Sequence, residues 1–475
     1  MIGPIKIPIL HFLKITILLY TKMGEVSLTE EVKYERTPFG KDMLKHFAFD
    51  PAWKNLNHGS FGAAPRAIRN KQRAYQDECD ARPDLFIRYR YPKLLDESRA
   101  AMAKLLNAPI ETVVYVSNAT MGVNTILRNI PWHDDGRDEI LYFNTIYGAC
   151  GKTVECVAEI NRYAVQPREM HVTYPLSDAD VVKVFKDSIR ASRAARKFPR
   201  VAIFDTVSSL PGLRVPFEQL TQICKEEGIL SLIDGAHGVG HIPLDLSAVD
   251  PDFFVSNAHK WLFVPRGCAV LFVPVRNQGL IRSSLPTSHG FQPKTSGGGT
   301  PSSLPPAKNS KFVNNFEFVG TIDNTNYLVA PEAIKWRDEV CGGEKAIMEY
   351  TSNLAREGGK AVAKLLGTKI LDNDEHTLTA CNLVNVLLPL EVSESAIPGT
   401  NTVKSADKYE VTLKLQKILI EEHNTFIAIF FFQGQWWARL SGQVYLDITD
   451  FEWVAGKLKD VCERAGKQGF LESKN

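Results

Sequence analysis

LIDGAHGVGHI, residues 232–242, and FFVSNAHKWLF, residues 253–263, decide how this chain is read. Each begins as a short apolar run and breaks into small or polar residues. That is the pattern of a buried strand delivering its last residues to the sheet end where open α/β proteins build their sites. Asp234 closes the first run and Lys260 follows the second. A lysine set among Trp261, Leu262 and Phe263 can have a depressed pKa and act as an imine-forming amine, and an aspartate can partner a pyridinium nitrogen. Either residue alone says little, since most aspartates at strand ends cap turns and most lysines are solvated. Together they point to pyridoxal phosphate.

Outward from this pair, apolar runs alternate with helical stretches from Phe47 to about Phe291, the signature of βαβ units feeding a mostly parallel sheet. The expected strands are TVVYVSN (112–118), EILYFNT (139–145), RVAIFDTV (200–207), ILSLIDGA (229–236), FFVSNA (253–258) and CAVLFVP (268–274). YPKLLDESRAAMAKLL and FEQLTQICKEE carry helical periodicity. The run PKTSGGGTPSSLPPAKNS (293–310) sustains neither periodicity and marks a boundary. Beyond it come a long amphipathic helical region from Pro331 to about Leu366, the apolar runs TACNLVNVLLPL and TFIAIFFF, and a final helix from near Asp450 to about Gly466. EVSESAIPGTNTVKSADK reads as a surface loop. The expected organisation is an extension over 1–46, a large domain over 47–310 and a smaller α+β domain over 311–475.

Composition agrees. The 475 residues are 44% hydrophobic and 23% charged, which excludes a disordered, collagen-like or multi-span membrane chain. A net charge of +2 gives no strong field toward nucleic acid or anionic membrane, so the expected partner is a small molecule. Eight scattered cysteines without a CxxC pair suit reduced thiols in a cytoplasmic enzyme. The apolar segment Ile2–Tyr20 is broken by Lys6, Pro8, His11 and Lys14 and lacks a cleavage site, so it reads as a dispensable extension, with Met23 an alternative start.

The motifs NHGSFG, SNATMGVN, YGACGKT, DGAHGVG, SNAHKW, FVGTID and RLSGQVY follow one another from Asn57 onward. In that order they resemble the fold-type I pyridoxal-phosphate enzymes of the class V aminotransferase group, in the isopenicillin-N-epimerase-like branch. LLDESRA, NATMGVNTILRNI, IYGACGKT and LPTSHGF narrow the likeness to sulfoxide lyases that end ergothioneine biosynthesis. The resemblance implies a homodimer in which Lys260 carries the cofactor imine, Asp234 faces the ring nitrogen and His237 contacts the ring or its phenolate. It puts Asn118, Ala119 and Thr120 at a helix N-terminus suited to a phosphate dianion. His259 joins them as a phosphate contact, and Gly320 and Thr321 reach a neighbouring subunit's phosphate. Where several relatives have Ser three residues before the lysine, this chain has Asn257. Tyr147 is placed against the cofactor face, where it stacks and can move a proton. Asp205 and Ser208 lie near the phenolic oxygen, though a turn-forming pair would look the same. Asn57, His58, Ser60, Arg88 and Arg439 fall on the substrate side, Arg439 as the planar fork that grips a carboxylate.

Other patterns carry less. GACGKT has too few residues between its glycines for a P-loop, and the glycines between His237 and His241 disfavour a helical metal pair. Cys381 lies in an apolar strand, where a thiol is inert packing. Trp436, Trp437, Phe86, Tyr89 and Tyr91 could surround a trimethylammonium group, but aromatics are far more often core. The expected activity is C–S β-elimination from a cysteine-conjugate sulfoxide. Transamination or epimerisation through the same carbanion is the enzymatic alternative, and a ligand-binding regulator that retains the fold is the non-enzymatic one.

Overall fold

A computed structural model describes residues 33–294, 308–394, 400–467 and 470–471. The segment Ile2–Tyr20 and most of the Gly/Ser/Pro-rich run lie outside the described residues. Seven strands form the main sheet: β1 (Val113–Val116), β2 (Asp138–Phe143), β3 (Val165–Met170), β4 (Phe198–Asp205), β5 (Leu230–Asp234), β6 (Phe253–Ser256) and β7 (Ala269–Phe272). Their spatial order is β1-β7-β6-β5-β4-β2-β3. The β3-β2-β4-β5-β6 pairings are parallel, and β7 runs antiparallel to both β6 and β1. All six expected strands are present.

The strands β1, β6 and β7 are buried along their whole length, which is why they read as unbroken apolar runs. Their side chains share a core with Val123, Ile126 and Leu127 of the helix Ala119–Asn129, and with Phe312, Val313 and Phe316 from beyond the boundary run. That helix sits close because Gly122 has no side chain: a Cβ there would come within 2.5 Å of Val255 in β6. The close approach brings the helix N-terminus over the ends of β1 and β6.

A second sheet, β11-β12-β8, is antiparallel and joins β8 (Leu383–Leu387), β11 (Ala428–Phe432) and β12 (Gln435–Ser441). The expected surface loop at 391–408 contains a short parallel pair, β9 (Glu391–Ser393) and β10 (Thr402–Lys404), and leads into a helix, Lys408–Glu421. The single helical region expected over 331–366 is two helices, Ala330–Cys341 and Glu344–Leu366. Gly342 and Gly343 divide them, both at positive φ (81° and 91°), a conformation that ends a helix at little cost for glycine. The final helix spans Ile448–Ala465 and starts in a capping box between Asp447 and Asp450.

Candidate active site

Asp205 and Asp234 end neighbouring parallel strands and are paired in register. Both are buried, at 8% and 2% exposure. Burial pushes both carboxyls up from their ordinary value, and for Asp205 the neighbouring Asp234 adds to the effect. Asp234 Oδ1 accepts the Ala236 backbone N–H at 2.9 Å, and its Oδ2 accepts the Cys150 thiol at 3.2 Å. The strand end thus holds a fixed acid that, among the described residues, is bonded by no cation.

Lys260 is carried by the short helix Ala258–Trp261 that follows β6. Its Nζ lies 3.0 Å from His237 Nε2. Burial, with the nearby Arg439 charge, brings its pKa down to about 8, against the partial opposition of Asp234 and Asp205. The turn beneath it is heavily braced. His58 Nε2 donates to the Lys260 carbonyl at 2.7 Å while its Nδ1 accepts the Tyr445 hydroxyl at 3.0 Å. Arg337 donates to the Trp261 carbonyl at 2.7 Å and to the Gly240 carbonyl at 3.1 Å, tying the two motif loops together. Gly62 completes the bracing at φ +64°, where a Cβ would sit 1.8 Å from the His259 carbonyl oxygen.

Three buried histidines surround this turn, each held neutral by burial. His58 and His241 are brought to about 3, and His237 is lowered well below its ordinary value. His241 Nε2 accepts the Asn382 N–H at 2.8 Å and its Nδ1 donates to the His237 carbonyl at 2.9 Å, so both of its ring nitrogens have protein partners.

Arg439 projects from β12 and is 2% exposed. Its guanidinium donates to the Ser209 carbonyl (2.7 Å), Asn57 Oδ1 (3.2 Å) and Ser60 Oγ (2.9 Å). Among the described residues it has no carboxylate partner, and its buried Nε bonds nothing. Desolvation brings its pKa down to about 10. A buried cation served only by neutral acceptors is a site prepared for an anion.

At the helix Ala119–Asn129, the Asn118 side chain caps by accepting the Met121 N–H, and Asn257 Oδ1 accepts the Ala119 N–H at 2.8 Å. Asn257 therefore ties the end of β6 to this helix. The Thr120 N–H and hydroxyl have no acceptor among the described residues, leaving donors at a dipole-favoured anion position. His259 Nδ1 bonds the Cys268 carbonyl at 2.8 Å, and burial lowers its pKa to about 4. Ser208 is fully buried and spends its hydroxyl on the Pro211 carbonyl, closing a turn. Tyr147 caps the helix Gly148–Ile160 and is 46% exposed. Gly320 and Thr321 are exposed. Arg88 pairs with Asp84 at 2.9 Å.

Lys260, Asp234, Asp205, His237 and Arg439 thus converge, and the donor set fits pyridoxal phosphate. It offers a low-pKa amine, a buried acid for a ring nitrogen and a helix N-terminus for a phosphate. The orphaned Arg439 Nε stands ready for a carboxylate. Sequence reasoning misses Cys150, one of the scattered thiols, and Arg337, whose only signal is its place in the amphipathic helical region. Trp261 reads in the sequence as an apolar neighbour, but its indole donates to His237.

Known proteins resemble this chain over most of its length. The chain is 38% identical to an L-cysteine desulfhydrase-like protein of Epichloe uncinata, over 91% of this chain and 98% of that protein. It is 33% identical to the hercynylcysteine sulfoxide lyase of Schizosaccharomyces pombe, over 90% of this chain and 99% of that protein. In fold it matches the C-DES structure with glycine covalently linked to its PLP cofactor, at TM-score 0.66, 18% identity and coverage of 88% of this chain and 99% of that one. Residues 88–387 match the class V aminotransferase family, and with relatives this similar over nearly its full length the chain belongs to that family.

Proposed function

We propose that this protein is a pyridoxal-phosphate-dependent C–S β-lyase that cleaves a cysteine-conjugate sulfoxide, hercynylcysteine sulfoxide, in ergothioneine biosynthesis. The observation that carries the reading is Arg439, buried without a carboxylate partner in a site built around Lys260. It suits an α-amino acid whose carboxylate the guanidinium receives. The sulfoxide is favoured by the 33% identity to a hercynylcysteine sulfoxide lyase. When bound, the cofactor supplies an electron sink for the pair left at Cα.

The chain's own groups do the rest. Arg439 orients the carboxylate through a fork already braced by Asn57 and Ser60. The Lys260 amine, whose pKa is lowered to about 8 so that roughly a tenth of it is free at pH 7 against almost none for an ordinary lysine, takes the Cα proton. Asp234 holds a proton at the ring nitrogen, with Cys150 fixing the carboxylate that does so. The C–S bond then breaks with its electron pair leaving on sulfur as a sulfenate, and Tyr147 supplies a proton to it. Water releases the three-carbon remainder as pyruvate and ammonia. Thr120 and Asn118 hold the phosphate end, joined by Gly320 and Thr321 of a second subunit in a homodimer. Eight free cysteines support a reducing, cytoplasmic setting.

A second reading, desulfhydration of L-cysteine itself, is favoured by the 38% identity to a desulfhydrase-like protein. Pyruvate and ammonia measured from hercynylcysteine sulfoxide and from L-cysteine decide between them. The proposal expects kcat/KM for the sulfoxide to exceed that for cysteine by about 10²-fold or more, the discrimination a substrate-sized pocket can supply. Equal values favour the desulfhydrase, and amino transfer without pyruvate overturns both.

A further inference from the structure

We propose that Trp261 is a positioning residue whose indole N–H fixes His237 in the tautomer that carries its proton on Nε2, aimed at Lys260 Nζ, so that the lysine is held as the free amine. The inference deepens the proposed function, on which its kinetic test rests.

The argument is one of donors and acceptors. An indole nitrogen only donates. Trp261 Nε1 lies 3.1 Å from His237 Nδ1, so Nδ1 presents its lone pair. A neutral imidazole has one N–H, which must then be on Nε2. Nε2 is 3.0 Å from Lys260 Nζ. An ammonium group has no lone pair to accept that proton, whereas a free amine has one. His237 is neutral because it is buried, with the Arg439 guanidinium near it.

The indole cannot turn away. Its ring stacks on His241 at 4.1 Å between centroids and 18° between planes. His241 is itself pinned between the Asn382 N–H and the His237 carbonyl. Arg337 holds the Trp261 carbonyl. The other groups that bear on Lys260 are Arg439 from β12, Asp234 from β5, Asp205 from β4 and Cys150 from the helix Gly148–Ile160. None of them bonds Trp261, so replacing the indole leaves their contributions in place.

In Trp261→Phe the His237 ring is free to carry its proton on Nδ1 and to offer Nε2 to a lysine ammonium. The apparent pKa of Lys260 should then rise by about one unit, the size of one altered neutral hydrogen bond. The test uses the full-length chain freed of cofactor. Pyridoxal phosphate is added across a range of pH, and the rate at which visible absorption grows reports the free amine. Wild type should give a midpoint near the lowered lysine value. Trp261→Phe should give one about a unit higher, with about tenfold slower growth below it. In a His237→Phe background, adding Trp261→Phe should move nothing. An unchanged midpoint in the single variant, or a shift that persists without His237, overturns the proposal.

Should Trp261→Phe fail to fold, nitrogen NMR of wild type labelled at histidine still decides. His237, assigned by the signal lost in His237→Phe, must show a bare Nδ1, and a protonated Nδ1 overturns the proposal. If wild type gains no visible absorption at all, the cofactor reading fails instead, and the NMR result stands apart from it.

Discussion

Asp205 and Asp234 are paired in register across the β4–β5 ladder, two buried carboxyls on adjacent strand ends whose burial outweighs the nearby Lys260 charge and the hydrogen bonds they accept. Folding raises the pKa of both. Such groups cost nothing where folded and unfolded chains are both protonated. They penalise the folded chain increasingly as pH rises above the ordinary carboxyl value, until the folded pKa is passed.

It follows that Asp205→Asn should stabilise the cofactor-free protein at neutral pH. A gain of about 1–2 kcal/mol would raise Tm by roughly 2–4 °C per kcal/mol. The difference should vanish below about pH 4, where the wild-type pair is protonated in both states. Thermal melts of both proteins from acid to neutral pH give the answer, and an equal or lower Tm for the variant at neutral pH would count against a strained pair.

Arg439→Lys keeps the charge but loses the planar fork. Ser60, Asn57 and the Ser209 carbonyl are spaced for a guanidinium, so an ammonium cannot satisfy them and a carboxylate together. KM should rise by about 10²-fold with a smaller change in kcat, a loss of about 2–3 kcal/mol of binding. Steady-state kinetics on any accepted amino acid measures this, and an unaltered KM would remove Arg439 from carboxylate binding.

Sulfur should leave without passing through a thiol of this chain. Cys381 is 1% exposed in the stretch leading into β8, and burial pushes its thiol up to about 11. Cys381→Ala should therefore retain elimination within about threefold, as a packing change would allow. Alkylation of the native protein should reach Cys79 and Cys156 at most, since the other six are buried. Rapid labelling of Cys381, or loss of pyruvate release in the Ala variant, would contradict this.

Tyr147→Phe should still exchange the Cα proton with solvent while pyruvate release falls by about 10²-fold, the contribution of a placed general acid. Deuterium incorporation and pyruvate measured on the same sulfoxide separate the two steps. Near-normal pyruvate release would leave Tyr147 a stacking residue only.

Much of this was legible in the residues. Strands buried on both faces announce themselves as apolar runs, so β1, β2 and β4 to β7 could be placed from the sequence. The strand β3, VQPREM, could not: it is an edge strand, buried only at its two ends, and includes Pro167. The helix Lys408–Glu421 was hidden by the polar insertion before it, and β12 was not marked as a strand although Trp436 and Trp437 read most simply as core aromatics. Lys260 and Asp234 stood out because strand-end chemistry is local. Arg337, Cys150 and the tautomer of His237 did not, because each acts across the fold on a residue distant in sequence.

Borohydride reduction of the holoenzyme followed by peptide mapping tests the assignment of the site most directly. The pyridoxyl group should be found on Lys260 alone, in the peptide containing SNAHKW, with Lys260→Ala giving neither adduct nor visible absorption. An adduct on any other lysine, or a Lys260→Ala protein that keeps the wild-type absorption, would contradict it.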